Sequence, residues 1–322
     1  MAVAAREFSK SGLNNRSIIM SKPSIGFIGL GLMGSAMCRR LRNCDYPLTV
    51  IANRSRANID AVIANGATEA FSARELAKKS DIVMLCLDTS ASVESRMYGS
   101  EGVISGLKNG ATVIDFGTSL PSSTRAIGNA VAKIGGTYLD APLGRTPAHA
   151  EEGKLNIMCS GDEAAFKKVK PVLEDLGENV FHLGKLGSGH TVKLINNFFA
   201  MTTANSMCEA FALADKTGIE RQKLYDVMSA GPLHSGMMDF MKAYAIDGIP
   251  DQLAFSVGNA RKDIGYYMNM AEVAGVKSIM AVGADDALGR AVDHGNSGEM
   301  VAQMTDFFCE MFSGEEDAPK DD

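Results

Sequence analysis

Residues 25–34 read Ile-Gly-Phe-Ile-Gly-Leu-Gly-Leu-Met-Gly, a short apolar run that breaks into three glycines spaced GxGxxG and then into a helical pattern beginning near Met33. No other stretch constrains the chain so tightly. Gly29 permits a tight turn, Gly31 lets a ligand approach the backbone, and Gly34 lets a helix pack closely on the strand, which together make the opening unit of a parallel α/β sheet. The new helix N-terminus also presents free N–H groups to phosphate oxygens. The spacing alone is weakly specific. Here it falls on the first strand of an alternating pattern, so Gly29, Leu30, Gly31, Leu32, Met33 and Gly34 are read as the pyrophosphate loop of a dinucleotide site.

From residue 24 to about 182, short apolar runs (25–28, 48–51, 82–87, 112–115, 138–139 and 155–159) alternate with amphipathic segments such as 36–41, 57–64 and 124–134. That is the texture of a doubly wound parallel sheet with crossover helices on both faces. After Gly184 it changes. A proline-free helical pattern runs from His190 to Lys216, further helical segments follow, and no convincing strand appears. The expected architecture is α/β: a Rossmann doubly wound parallel sheet domain over 23–184, then an all-α domain over 185–313, joined by a long helix. Methionines concentrated in the helical half are read as adaptable core packing. Residues 1–22, with Arg6, Lys10 and Arg16 against Glu7, are read as a disordered leader, with an organellar transit peptide as the alternative. Residues 314–322 are read as an acidic, solvated tail.

With 322 residues, 46% of them hydrophobic, the chain can bury two cores. Its net charge of −6 argues against a nucleic-acid partner. No apolar run has the ~18 to 20 residues needed to span a bilayer. Six scattered cysteines without CxxC pairing fit reduced thiols in the cytoplasm, and neither they nor the five histidines, read mostly as loop or helix-surface residues, have metal spacing. No metal is expected.

The second strand ends in Asn53-Arg54-Ser55-Arg56, about 20 residues past the glycines, where an acid would bind the ribose hydroxyls of NAD. Asn53 is neutral and Arg54 and Arg56 are cationic, so with Ser55 this segment suits a 2′-phosphate, since guanidinium groups offer paired donors, and NADP(H) is expected over NAD(H). Leu87-Asp88 and Thr118-Ser119 lie at later strand ends, on the carboxyl side where open α/β sheets bind ligands; Asp88 and Asp115 are also candidate helix caps.

Two further segments carry chemistry. Asp140-Ala141-Pro142-Leu143-Gly144-Arg145-Thr146-Pro147 is read as a Gly/Pro-rich loop able to offer N–H groups to an anion. In Gly189-His190-Thr191-Val192-Lys193-Leu194-Ile195-Asn196-Asn197, Lys193 and Asn197 are four apart on one helical face. Apolar neighbours at 192, 194 and 195 set Lys193 apart from an ordinary solvated lysine.

The glycine loop, the Asp140-Ala141-Pro142 loop, the GxxxKxxNN run from Gly189 to Asn197 and the Lys262-Asp263 pair together resemble the β-hydroxyacid dehydrogenase family, in order and over nearly the whole chain from Ser24 to about Phe312. The resemblance implies dimers or tetramers built on helical surfaces and a small anionic aldehyde or hydroxy acid as substrate. It implies Lys193 as general acid/base, Asn196 and Asn197 as substrate-positioning groups, Ser119, Gly144, Arg145 and Thr146 as further substrate contacts, and Lys262 beside the cofactor. Where the family commonly has Ser-Gly-Gly, this chain has Gly144-Arg145-Thr146, which looks like the sulfolactaldehyde reductase branch, so the substrate anion is either a sulfonate or a carboxylate. The family commonly has Pro at the place of Asp88 and Ser at Gly117, and that branch uses NADH in its best match. Imine reductases and non-catalytic cofactor-binding relatives share the architecture but lack the lysine. No GxSxG elbow supports a hydrolase.

Overall fold

The computed structural model describes residues 22–52 and 56–314. The leader before residue 22 and the tail from 315 lie outside them, as do Asn53, Arg54 and Ser55. The first half comprises β1 (Ile25–Ile28), α1 (Leu32–Asn43), β2 (Leu48–Ile51), α2 (Arg56–Ala64), β3 (Thr68–Ala70), α3 (Ala73–Lys79), β4 (Ile82–Leu85), α4 (Ser90–Met97), α5 (Val103–Gly106), β5 (Thr112–Asp115), α6 (Pro121–Ala132) and β6 (Thr137–Asp140). The six strands are all parallel, in the order β3-β2-β1-β4-β5-β6. Two βαβ halves therefore meet at β1 and β4, the switch point outside which such sheets bind ligands.

Strand side chains alternate between two buried layers. Phe27 and Met84 join one core with Met37 and Leu41 of α1, while Ile28, Val83 and Leu85 join the other with Leu76 and Val131. Helices cover both faces, which explains near-continuous apolar strands.

Next come β7 (Leu143–Gly144), α7 (Pro147–Glu151), β8 (Leu155–Cys159), α8 (Glu163–Leu176) and β9 (Gly177–His182). Strands β7, β8 and β9 form a separate mixed sheet, antiparallel between β7 and β8 and parallel between β8 and β9. This corrects two expectations. Residues 155–159 do not belong to the main sheet, and 140–150 is not all loop, because Leu143 and Gly144 gain backbone partners on β8 while Pro147 starts a short helix.

The second half is helical: α9 (Ser188–Lys216), α10 (Arg221–Ser229), α11 (Gly236–Ala245), α12 (Val257–Val273), α13 (Ile279–Asp293) and α14 (Met304–Ser313). The 29-residue α9 forms its axis, and Met201, Phe211, Met238, Met241 and Phe307 fill a core of their own. No helix among the described residues is long and apolar enough to cross a membrane.

Candidate active site

The glycine turn is dictated by backbone crowding at two positions and by empty space at the third. Gly29 has φ +105°, and a Cβ there would meet the Cys86 carbonyl at 2.1 Å; at Gly34 it would lie 1.8 Å from the Gly29 carbonyl. A Cβ on Gly31 would meet nothing within 4 Å, so the backbone there stands open to a ligand. No side chain caps the start of α1, so its first N–H groups stay available to phosphate oxygens. Ser35 and Asn58 hold the turn in place by donating to the Leu30 carbonyl at 3.0 and 2.6 Å. These residues fit a pyrophosphate. An open cavity of about 450 Å³ lies at the carboxyl ends of β2 and β3, lined by Ile51, Phe71, Ser95, Arg96 and Tyr98. Arg56 donates to Glu69 at 2.7 Å and to Asp60 at 2.7 Å. Its guanidinium is thus already engaged.

On the carboxyl side of β4, Leu87 packs back against the sheet's core while the Asp88 carbonyl faces the helical half. Thr89, rather than Asp88, caps α4 by accepting from Ser92 N at 3.0 Å. Asp115 is no cap either. It is fully buried and shapes the 117–119 turn, accepting from Gly117 N at 2.9 Å and from the Ser119 hydroxyl at 3.0 Å. Ser119 is itself buried, with Thr118 partly exposed beside it.

Lys193 and Asn197 share a face of α9 as their spacing requires. Asn197 is buried and donates from Nδ2 to Asp263 Oδ2 at 2.6 Å, while the exposed Asn196 donates to Asn197 Oδ1 at 3.2 Å. The buried Asp263 also pairs through Oδ1 with Lys262 Nζ at 3.0 Å. Lys262 reaches across to donate to the Asp88 carbonyl at 2.6 Å, and nearby Ser90 N donates to Tyr266 Oη at 3.1 Å. α12 is therefore pinned to the segment joining β4 and α4, and its Asp263 and Lys262 lie near enough to Lys193 to act on its charge. Burial pushes the Lys193 ammonium below the ordinary lysine range; the Asp263 charge opposes that shift and Lys262 adds to it. The apolar sequence neighbours do not enclose it, because Val192 and Ile195 are both exposed. Lys193 itself is half-buried, and the charges beside it, Asp263 and Lys262, come from α12.

In the 140–147 segment Arg145 adopts φ +77°, a left-handed conformation that L side chains rarely take. Its guanidinium turns back to the Lys154 carbonyl at 2.7 Å and to Glu178 at 2.5 Å. An anion held by that guanidinium must compete with Glu178. Thr146 Oγ1 bonds His149 Nδ1 at 2.7 Å, and Gly144 pairs with Asn156.

The sequence reading missed what fixes the start of α9. No side chain of its own first turn caps it. Asp140, fully buried at the end of β6, accepts from Gly187 N at 2.8 Å, His190 N at 2.8 Å and the Ser160 hydroxyl at 2.5 Å, and Ser160 Oγ accepts from Gly189 N at 2.9 Å. His190, expected at a helix surface, is instead wholly buried here. Nothing in sequence spacing marks these partners, which lie up to 50 residues apart.

Comparison with known proteins bears on this geometry. Residues 24–184 match the NAD binding domain of 6-phosphogluconate dehydrogenase, and residues 187–307 match the NAD-binding region of NADP-dependent 3-hydroxyisobutyrate dehydrogenase. The chain is 31% identical over 291 residues to 2-(hydroxymethyl)glutarate dehydrogenase of Eubacterium barkeri, covering 90% of this chain and 88% of that protein. It is 32% identical over 215 residues to 2-hydroxy-3-oxopropionate reductase of Escherichia coli (strain K12), covering 67% and 73%. Among solved structures, 3-hydroxyisobutyrate dehydrogenase from Salmonella typhimurium superposes with a TM-score of 0.78 at 27% identity, over 89% of this chain and 100% of that one.

Proposed function

We propose, since this chain belongs to the β-hydroxyacid dehydrogenase family, that it reduces a small aldehyde bearing a carboxylate or sulfonate to the hydroxy acid, with Lys193 as the proton-transfer residue. The family makes the chain an NAD(P)-binding oxidoreductase of alcohol and aldehyde groups. The nicotinamide cofactor, when bound, supplies or accepts the hydride. The open space at Gly31 and the uncapped start of α1 support the pyrophosphate there, and the cavity beside Phe71 and Tyr98 supports the adenosine half.

The observation that carries the proposal is Lys193, set on α9 beside Asn197 and Asp263, with a proton affinity lowered by burial. In reduction its Nζ gives a proton to the carbonyl oxygen as that oxygen gains charge, and in oxidation it takes the proton back. Asn197, held by Asp263, orients it. Arg145 or the loop N–H groups around it would hold the substrate's anion.

NADP(H) is the preferred cofactor on this reading. Arg56 is engaged by Glu69 and Asp60, so the preference falls to Arg54, and Arg54→Asp should move it toward NADH. Exposed Phe199 on α9 and Val273 and Ile279 at the α12–α13 end support a homodimer or homotetramer. Six unpaired cysteines are consistent with the cytoplasm.

The test is initial-rate oxidation of NADPH and NADH with sulfolactaldehyde, succinic semialdehyde, tartronate semialdehyde and methylmalonate semialdehyde, for the native protein and Lys193→Ala. One of them should turn over at ~10⁴ M⁻¹s⁻¹ or better in kcat/KM, and Lys193→Ala should lose at least about a hundredfold. Inertness toward all four refutes the substrate class; near-native turnover in the variant refutes the role of Lys193.

A further inference from the structure

We propose that His190 is a positioning residue for this reaction, tying the helix that carries Lys193 to the 117–119 turn through an Nε2–H directed at Asp115; the proposal rests on Lys193 being the proton-transfer residue.

His190 sits one helical turn before Lys193 and has no exposed surface. Its backbone is fixed by the Asp140 carboxylate, and the helix lies so close to β8 that a Cβ on Gly189 would fall 2.2 Å from the Met158 carbonyl. The imidazole extends from this anchored turn toward β5. Nδ1 lies 2.7 Å from Thr124 Oγ1, while Nε2 has no hydrogen-bond partner and stands 3.8 Å from Asp115 Oδ2. Separately, Asp115 holds Gly117 N, the Ser119 hydroxyl and, at 3.3 Å, the Tyr138 hydroxyl. The ring therefore stands between the catalytic helix and the carboxylate that shapes the turn bordering the site.

Proton placement follows from donor counting. The Thr124 hydroxyl has one hydrogen, to give either to Nδ1 or to the Leu120 carbonyl at 3.1 Å. If it goes to Nδ1, Nε2 carries the ring proton and faces Asp115 as a donor. Nδ1 also stands 3.9 Å from Asp140 Oδ2, but there the Thr124 hydroxyl fills its lone pair, whereas in the opposite neutral tautomer a bare Nε2 lone pair would face the Asp115 carboxylate with no donor between them, an arrangement that buried polar groups avoid. The Nε2–H tautomer is the one this site supports.

At 3.8 Å the contact is a charge–dipole attraction rather than a hydrogen bond. In a dry site it nonetheless sets how deeply the first turn of α9 seats against β5, and so where Lys193 stands relative to Thr118 and Ser119. A displacement of about 1 Å at a reacting group costs up to about a hundredfold in rate. The glycine turn that holds the cofactor lies on another element and is untouched by His190.

The experiment has two readouts. The side-chain nitrogen spectrum of ¹⁵N-histidine-labelled native protein, with the His190 signals assigned by their loss in His190→Gln, should show an Nε2–H tautomer; an Nδ1–H tautomer overturns the proposal without reference to activity. In kinetics, His190→Leu should lose at least about tenfold in kcat with the cofactor KM within about twofold. His190→Gln, whose amide nitrogen can donate at the place of Nε2, should regain most of that loss. His190→Asn, which reaches only Thr124, should behave like the leucine variant and replaces it if that variant fails to fold. Native turnover in His190→Leu, or equal losses in the Leu and Gln variants, overturns the proposal. Lys193→Ala keeps the two readings apart: retained turnover there refutes the role of Lys193 and leaves the tautomer result standing, whereas an inactive Lys193→Ala beside a fully active His190→Leu refutes the role of His190 alone.

Discussion

Replacing Asp140 should destabilise the protein far more than its one side chain suggests. Asp140→Ala strands two buried amides, Gly187 N and His190 N, both now bonded at 2.8 Å, while the Ser160 hydroxyl can rotate toward other acceptors. Stranded buried donors cost ~1–3 kcal/mol each. Losing the carboxylate's attraction to the positive end of α9 adds ~1 kcal/mol, and relief from burying a charge offsets part of the sum. The net expectation is about 3 kcal/mol. Asp140→Asn keeps the shape and one acceptor oxygen, so it should cost about half as much. The assay is equilibrium urea unfolding followed by circular dichroism, comparing midpoints at constant slope. A loss under about 1 kcal/mol in Asp140→Ala, or equal losses in the two variants, would show that α9 does not depend on this acceptor.

Three further outcomes follow from the site. Lys193 must be protonated to act as an acid in reduction, so the rate should fall as pH rises through its lowered pKa; Asp263→Asn removes the charge that holds that pKa up and should move the fall to lower pH, a shift the other way contradicting the assignment. Gly34→Ala places a methyl 1.8 Å from the Gly29 carbonyl, so NADPH binding followed by fluorescence should be lost, and intact binding would mean the turn can open. Arg145→Gly relieves a left-handed backbone worth about 1 kcal/mol and gives up a largely exposed ion pair worth little; stability should hold or rise while KM for the anionic aldehyde climbs at least about tenfold (~1.4 kcal/mol of binding), and an unchanged KM would assign anion binding to backbone N–H groups.

The parts legible in sequence are those governed by local physics. Strands 25–28, 48–51 and 112–115 are found at their observed bounds because apolar runs bounded by turns have few alternatives. The strand ending in Thr68-Glu69-Ala70 is too short and polar to stand out, and Gly-Glu-Asn-Val-Phe-His shows no clear alternation, so β3 and β9 owe their existence to neighbouring strands. Lys193 is legible as a residue but not as an environment: its apolar neighbours Val192 and Ile195 are exposed, and the charges that act on it, Asp263 and Lys262, come from α12, remote in sequence. The Asp115–His190–Asp140 arrangement is invisible for the same reason. A sequence window cannot see which carboxylate a folded backbone brings to a helix end.

That borrowed acceptor makes α9 dependent on an order of events. Asp140 leaves the ribosome before Gly187 and His190, so β6 can be in place when the long helix starts to form. A helical half made alone would begin α9 with Gly187 N and His190 N open to water and a frayed end. In a chimera between relatives, the aspartate after β6 and the helix start it caps should therefore travel together, since a crossover between them would join two sound halves at an unmatched seam.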